Sequence, residues 1–316
     1  MEYKEFLLCL KDKLELLCNE GESVQFETIV KNNSVKLDAI ILKKEGDLAF
    51  PTIYVRDYYS ESADESVVEE IARGILEFGR NNRLDIDFDI NEFCDFEKMK
   101  SSIAFKLINS AKNEELLKAV PHRDFNDLSI VYYCVMDTYV GGSAATIIYN
   151  KHTDIWKCTE EELYELAKIN TERLNKPVLR SINDIILELV DRGEFDSDTA
   201  EDLYEDLKDE SVCPMYVLTN ERKTYGASCL LYENILENFA EEHGDFYILP
   251  SSIHELILVP DEGNSSPTEL LNMVKNVNES QVADEEILSD NVYRYSSYDG
   301  LIHTFSNITF DAERVF

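Results

Sequence analysis

An α+β fold, with mixed or antiparallel sheets packed against helices, is predicted by three features of this 316-residue chain. Segments whose apolar residues recur at helical spacing alternate with segments whose apolar residues recur every second position. An Asn32-Asn33-Ser34 turn joins two segments of the second kind in a hairpin signature. Thr159 followed three residues later by Glu162 is a capping box that opens a helix. Hydrophobic residues make up 44% of the chain, enough for the core of one large domain or two ordinary ones.

Residues 2–19 form an amphipathic helix on this reading, with Phe6, Leu10, Leu14 and Leu17 on one face and Gly21 as a stop. Val24, Phe26 and Thr28, then Val35, Leu37, Ala39 and Ile41, are the alternating positions of the hairpin, and residues 50–55 are a third strand. An acidic start at Asp64 and a stripe of Val67, Ile71, Ile75 and Phe78 predict a helix to Arg83. Ile86, Phe88 and Ile90 alternate with three aspartates as a strand, and a second helix is expected from about Asp95 to Asn109. Strands follow to Tyr149, with Val131, Tyr133 and Val135 facing one way.

The helix capped by Thr159 continues through Leu163, Leu166, Ala167 and Leu174, and Pro177 lies beyond its end. Helices are expected near 181–191 and 197–208. Residues 215–219, a turn, 225–232 and a helix to His243 echo residues 131–136, 142–149 and 159–174, a possible repeated strand-turn-strand-helix module. Residues 246–250 and 253–259 suggest two tightly joined strands, and Pro267 to Glu279 a helix with Leu270, Leu271, Val274 and Val277 inward. The chain divides as an N-terminal α+β region, 1–120, and a C-terminal one, 121–316, or runs as one continuous domain.

The charge balance excludes more than it identifies. There are 64 acids against 30 bases, a formal charge of −34. Such a field repels phosphate backbones and anionic membranes, so neither direct nucleic-acid binding nor membrane docking is expected. A basic protein is the partner this charge favours, and a monomer or weak oligomer is expected. Seven cysteines without a CxxC pair, several in apolar stretches, are the usage of a reducing cytoplasm. The N-terminal segment has acids throughout and no small-residue cleavage site, so it is not a signal peptide, and no apolar run has membrane-spanning length.

The segments FYILPSSIHELILVP at 246–260, LSDNVYRY at 288–295 and TEEELYELAKIN at 159–170 carry a family likeness. The chain resembles an uncharacterised bacterial family, common in anaerobic gut bacteria and known as domain of unknown function 5688. The resemblance covers most of the chain. It implies a bacterial, cytoplasmic α+β protein and brings no activity, cofactor or catalytic residue to carry over.

Asp85-x-Asp87-x-Asp89 resembles the start of a calcium loop, but an EF-hand needs Gly at the sixth place and Glu at the twelfth, where Ile90 and Phe96 stand. The five histidines show no metal-ligand spacing, and no Walker A, Rossmann or kinase signature occurs. No cofactor or metal is expected. Ser251, Ser252, His254 and Glu255 offer a nucleophile, a base and an acid close in sequence, although triad members ordinarily converge from separate elements. The alternative reading is a Ser-rich turn. The stretch 191–210 holds ten acids, and on its helix Asp202, Glu205, Asp206 and Asp209 would form a charged face beside Leu203 and Leu207. The expected function is a non-enzymatic interaction or regulatory protein that binds a basic protein through that face. The alternatives are a hydrolase or transferase with a pocket built from distant residues, and an acidic mimic of nucleic acid that inhibits a DNA- or RNA-binding factor.

Overall fold

Helix α1 (Tyr3–Leu17) sets Phe6, Leu10 and Leu14 one turn apart, and all three are fully buried. Each contributes about 2 kcal/mol by leaving water. They pack with α2 (Glu65–Asn81) and the antiparallel sheet β1 (Glu22–Val30), β2 (Lys36–Lys44) and β3 (Thr52–Tyr54), in the order β1-β2-β3. The hairpin register runs from Val30 opposite Lys36 to Glu22 opposite Lys44. Asp64 caps α2 by accepting hydrogen bonds from the Ser66 and Val67 amides, at 2.9 and 3.0 Å, a contact worth about 1 kcal/mol. The computed structural model to which these elements belong describes residues 1–44, 52–82, 90–137, 143–196, 199, 201, 214–263 and 266–305.

Two corrections concern which face is inward. The core stripe of α2 is Val68, Ala72, Ile75, Leu76 and Gly79, while Val67 and Phe78 are 41% and 50% exposed. The two candidate stripes lie one residue apart, and small side chains decide between them. A Cβ on Gly79 would sit 2.9 Å from Leu42 Cδ2, so the bare glycine lets the helix lie close on β2. Along β2 it is Ile40 and Leu42 that join the core shared with α1 and α2; of the expected positions Ala39 is fully buried, while Leu37 and Ile41 are only half-buried. A shift of one residue exchanges the faces of a strand.

The chain separates into two compact units, Met1–Met99 with Val135–Thr146, and Lys100–Cys134 with Ile147–Phe316. The first also contains α3 (Ile90–Phe93) and α4 (Phe96–Met99). Ile90 therefore begins a helix; the aspartates of the expected strand and calcium-like loop, at 85, 87 and 89, lie outside the described residues.

The helix expected over 95–109 ends at Met99, and Ile103–Asn109 is strand β4. Ile103, Ala104, Phe105, Leu107 and Ile108 are all buried, so both faces are apolar and no period of two survives to be read. Then come α5 (Glu114–Leu117), β5 (His122–Phe125), β6 (Leu128–Asp137), β7 (Ser143–Ile147) and α6 (Asn150–Trp156). The strand order is β4-β6-β5, with β7 also paired to β6. Helix α7 (Glu160–Leu174) starts at the predicted capping box: Thr159 Oγ1 accepts from the Glu162 amide at 3.2 Å and Glu162 Oε2 from the Thr159 amide at 2.8 Å.

The second unit's larger sheet is formed by β8 (Pro177–Ser181), β9 (Tyr216–Asn220), β10 (Phe246–Leu249), β11 (Leu256–Pro260), β12 (Val292–Ser296) and β13 (Leu301–Phe305). All its pairings are antiparallel, in the order β13-β12-β10-β11-β9-β8. Its helices are α8 (Ile182–Asp191), α9 (Ile235–His243) and α10 (Pro267–Ser280). On α10 Asn278 is buried where Val277 was expected, and β11 begins at Leu256 rather than at Ile253.

The second strand of the supposed repeat is absent: Gly226–Leu231 is a buried 3-10 turn, so the two modules are not alike. The backbone enters it through Tyr225 in the left-handed region, φ 54°. A Cβ on Gly226 would lie 2.3 Å from both the His254 carbonyl oxygen and Thr219 Oγ1, which only glycine permits. Among the described residues no helix is long and apolar enough to cross a membrane. Six cysteines there are free thiols, and burial pushes those of Cys134 and Cys229 up to about 12.

Candidate functional site

Strand β8 is the terminal strand of the larger sheet, and its hydrogen-bond register determines what its edge offers. The Ile182 amide bonds the Met215 carbonyl at 2.9 Å and the Glu221 amide bonds the Lys176 carbonyl at 3.0 Å. In an antiparallel ladder such pairs recur every second residue. Lys176, Val178, Arg180 and Ile182 therefore bond to β9. The N–H and C=O groups of Leu179, the N–H of Ser181 and the C=O of Pro177 point away from it, and no described strand pairs with them. The Ser181 carbonyl, at the N-cap of the helix that follows, belongs to that helix's first turn. Pro177 occupies an outward position, where its missing N–H costs no ladder bond.

The same alternate residues of β8 line a groove. Pro177, Leu179 and Ser181 share it with Tyr216 and Leu218 of β9 and with Ile235, Phe239 and His243 of α9, around a cavity of about 460 Å³. Leu179 is 41% exposed on this open edge. The aromatic part of the wall is rigid: Phe239 meets Tyr216 edge-on at 5.1 Å between ring centroids and His243 at 4.4 Å.

The electrostatics of this groove are acidic. Arg180 lines it, but its guanidinium is paired with Glu188 at 2.7 Å. That bond holds the Glu188 carboxyl below its ordinary range. Asp184 has no cation partner among the described residues, and Glu242 has only the His243 ring, 3.9 Å away. Burial raises the Tyr216 phenol above its ordinary value, and the charges of Glu242, Asp184 and Glu262 raise it further. An aromatic wall overlooked by Asp184 and Glu242 suits a Lys or Arg side chain, whose stem packs on the rings while its charge faces the acids.

Of the residues singled out from sequence, Asp202, Glu205, Asp206 and Asp209 lie outside the described residues. The Ser251, Ser252, His254 and Glu255 group lies in the connection between β10 and β11, and His254 is half-buried at a bend rather than in a strand. Ser252 Oγ accepts the backbone N–H of His254 at 3.0 Å and does not engage the ring. His254 Nδ1 accepts the Tyr225 amide at 3.2 Å, because a backbone N–H can only donate. This leaves the proton on Nε2, which faces Glu286 Oε1 at 3.5 Å. The imidazole also stacks on the Tyr225 ring, with Lys106 Nζ 4.3 Å from that ring's centroid. Both nitrogens are thus engaged, Nδ1 by the Tyr225 amide and Nε2 by Glu286, and the serine is not aligned as a nucleophile. Glu255 is exposed. Among the described residues no group of three or more His, Cys, Asp or Glu is placed to hold a metal.

The groove residues escaped the sequence reading because they come from three separate segments, 177–184, 216–218 and 235–243. Pro177 was the available signal: a proline at the head of a short apolar strand marks an edge. No curated protein and no solved structure matches the chain. The model of a family of unknown function, DUF5688, matches residues 3–297, nearly the whole length, and the chain belongs to that family.

Proposed function

We propose that the protein is a cytoplasmic bacterial interaction protein that captures an extended, basic segment of a partner protein by strand addition along β8. The observation that carries this reading is the coincidence of the unpaired N–H and C=O of Leu179 and N–H of Ser181 with the aromatic groove on the same alternate residues. A docked strand gains main-chain bonds from the edge, and its alternate side chains enter the groove. Asp184, Glu242 and the net charge of −34 favour Lys and Arg and accelerate encounter.

The test uses a fluorescein-labelled, acetylated heptapeptide of alternating Lys and Val, followed by fluorescence anisotropy. Leu179→Pro deletes an N–H that points outward, so the pairing of β8 with β9 survives and circular dichroism should be unchanged. The folded variant should bind the peptide about tenfold more weakly. A peptide with Glu in place of Lys should not bind. Equal affinity of the native chain and the folded Leu179→Pro variant would defeat docking at this edge.

A further inference from the structure

A second cleft, in the first unit, has the opposite electrostatic character. It has a volume of about 370 Å³ and is lined by Tyr3, Lys36, Leu37, Asp38, Arg56 and Tyr59. Asp38 is the one acid in a lining that holds two cations, and both its oxygens are oriented by hydroxyls rather than by Lys36 or Arg56. Tyr3 donates its hydroxyl to Asp38 Oδ2 at 3.1 Å and Thr28 donates to Oδ1 at 3.0 Å. Neither Lys36 nor Arg56 makes an ion pair among the described residues, although acids outnumber bases 64 to 30 in the chain.

The aromatic side of the cleft is held in place. The Tyr3 ring meets Tyr59 edge-on at 5.0 Å, and the Tyr59 hydroxyl donates to the Met1 carbonyl at 3.1 Å. Burial and the Asp38 contact push the Tyr3 phenol up to about 12, so it remains a neutral donor that keeps Asp38 engaged.

We propose that this cleft binds a small organic monocarboxylate with a planar, apolar body. Arg56 presents a planar fork that matches a carboxylate, and Lys36 adds a second positive charge. The Tyr3 and Tyr59 rings cover the body. A single negative charge is favoured over a phosphate dianion because Asp38 lies in the same cleft and the whole chain repels anions. The cleft volume falls within the range of small-molecule sites.

Benzoate is the probe, titrated into the full chain by calorimetry and followed by saturation-transfer NMR, with acetate and inorganic phosphate as comparisons. Benzoate should bind saturably and more tightly than either. The double variant Lys36→Gln/Arg56→Gln, which alters exposed side chains only, should lose about tenfold or more in benzoate affinity. Arg222→Gln removes another arginine without an acid partner among the described residues and should leave binding unchanged. No saturable benzoate binding, or equal binding by the double variant, would overturn the site. Equal or tighter binding of phosphate would overturn the choice of a monocarboxylate, and acetate matching benzoate would remove the apolar body from the proposal.

Discussion

The β8 groove and the Tyr3 cleft belong to one strongly acidic chain, yet they leave unpaired charges of opposite sign. In the groove the cation is consumed, because Glu188 takes Arg180, and Asp184 remains without a cation partner among the described residues. In the cleft the one acid, Asp38, accepts from two neutral hydroxyls, which orient its carboxylate without cancelling its charge, and Lys36 and Arg56 make no ion pair among the described residues. Net charge governs long-range encounter, whereas the local sign depends on which group of each pair has already found a partner. A net charge of −34 therefore favours a basic partner but locates neither site.

The largest effect expected in the second unit is on its stability rather than on its groove. Gly226→Ala forces a Cβ against the His254 carbonyl and Thr219 Oγ1, both 2.3 Å away. It should cost about 3 kcal/mol or more, read as a fall in the urea midpoint. Thr219 lies on β9, next to β8, so peptide capture should fail with the fold while benzoate binding, a property of the first unit, persists. Loss of both activities together at a urea concentration where the native chain is folded would break the separation between the units.

The next effect is electrostatic. Reversing the groove charges with Asp184→Lys and Glu242→Lys should weaken capture of the Lys-Val peptide about thirtyfold, mainly through repulsion of like charges. The double variant should hold benzoate as the native chain does, since neither residue lines the cleft. Anisotropy titrations at two salt concentrations would sharpen the contrast, because the variant should also lose most of the salt dependence.

The smallest effect is a pH dependence of the first unit. The Tyr3 phenol is raised from 10.0 to about 12, first by burial and then by its bond to Asp38. A folded value above the unfolded one means that this contribution to stability is complete below pH 10 and disappears as pH rises through about 12. Unfolding curves of the native chain should therefore lose stability across that window, and Tyr3→Phe should lose less. Identical alkaline curves for the two proteins would show that Asp38 is not held by this phenol.

Local patterns in the sequence determined the α+β class, the buried face of α1, the hairpin about Asn32-Asn33-Ser34 and the capping box of α7. In each the decisive contacts lie within a few residues: Phe6, Leu10 and Leu14 share a helix face whatever lies above them, and Thr159 reaches Glu162 without help. Tertiary structure alone decided the rest. The run Ile103–Asn109 is apolar on both faces, so its strand character came from pairing with β6. The inward stripe of α2 was selected by how closely Gly79 approaches Leu42, and the turn at Gly226 by the crowding of Thr219 and His254. Both candidate sites are of this second kind. The groove draws on three segments, and the cleft joins Tyr3 to Lys36 and Arg56; the signs of their free charges depend on pairings that only folding makes.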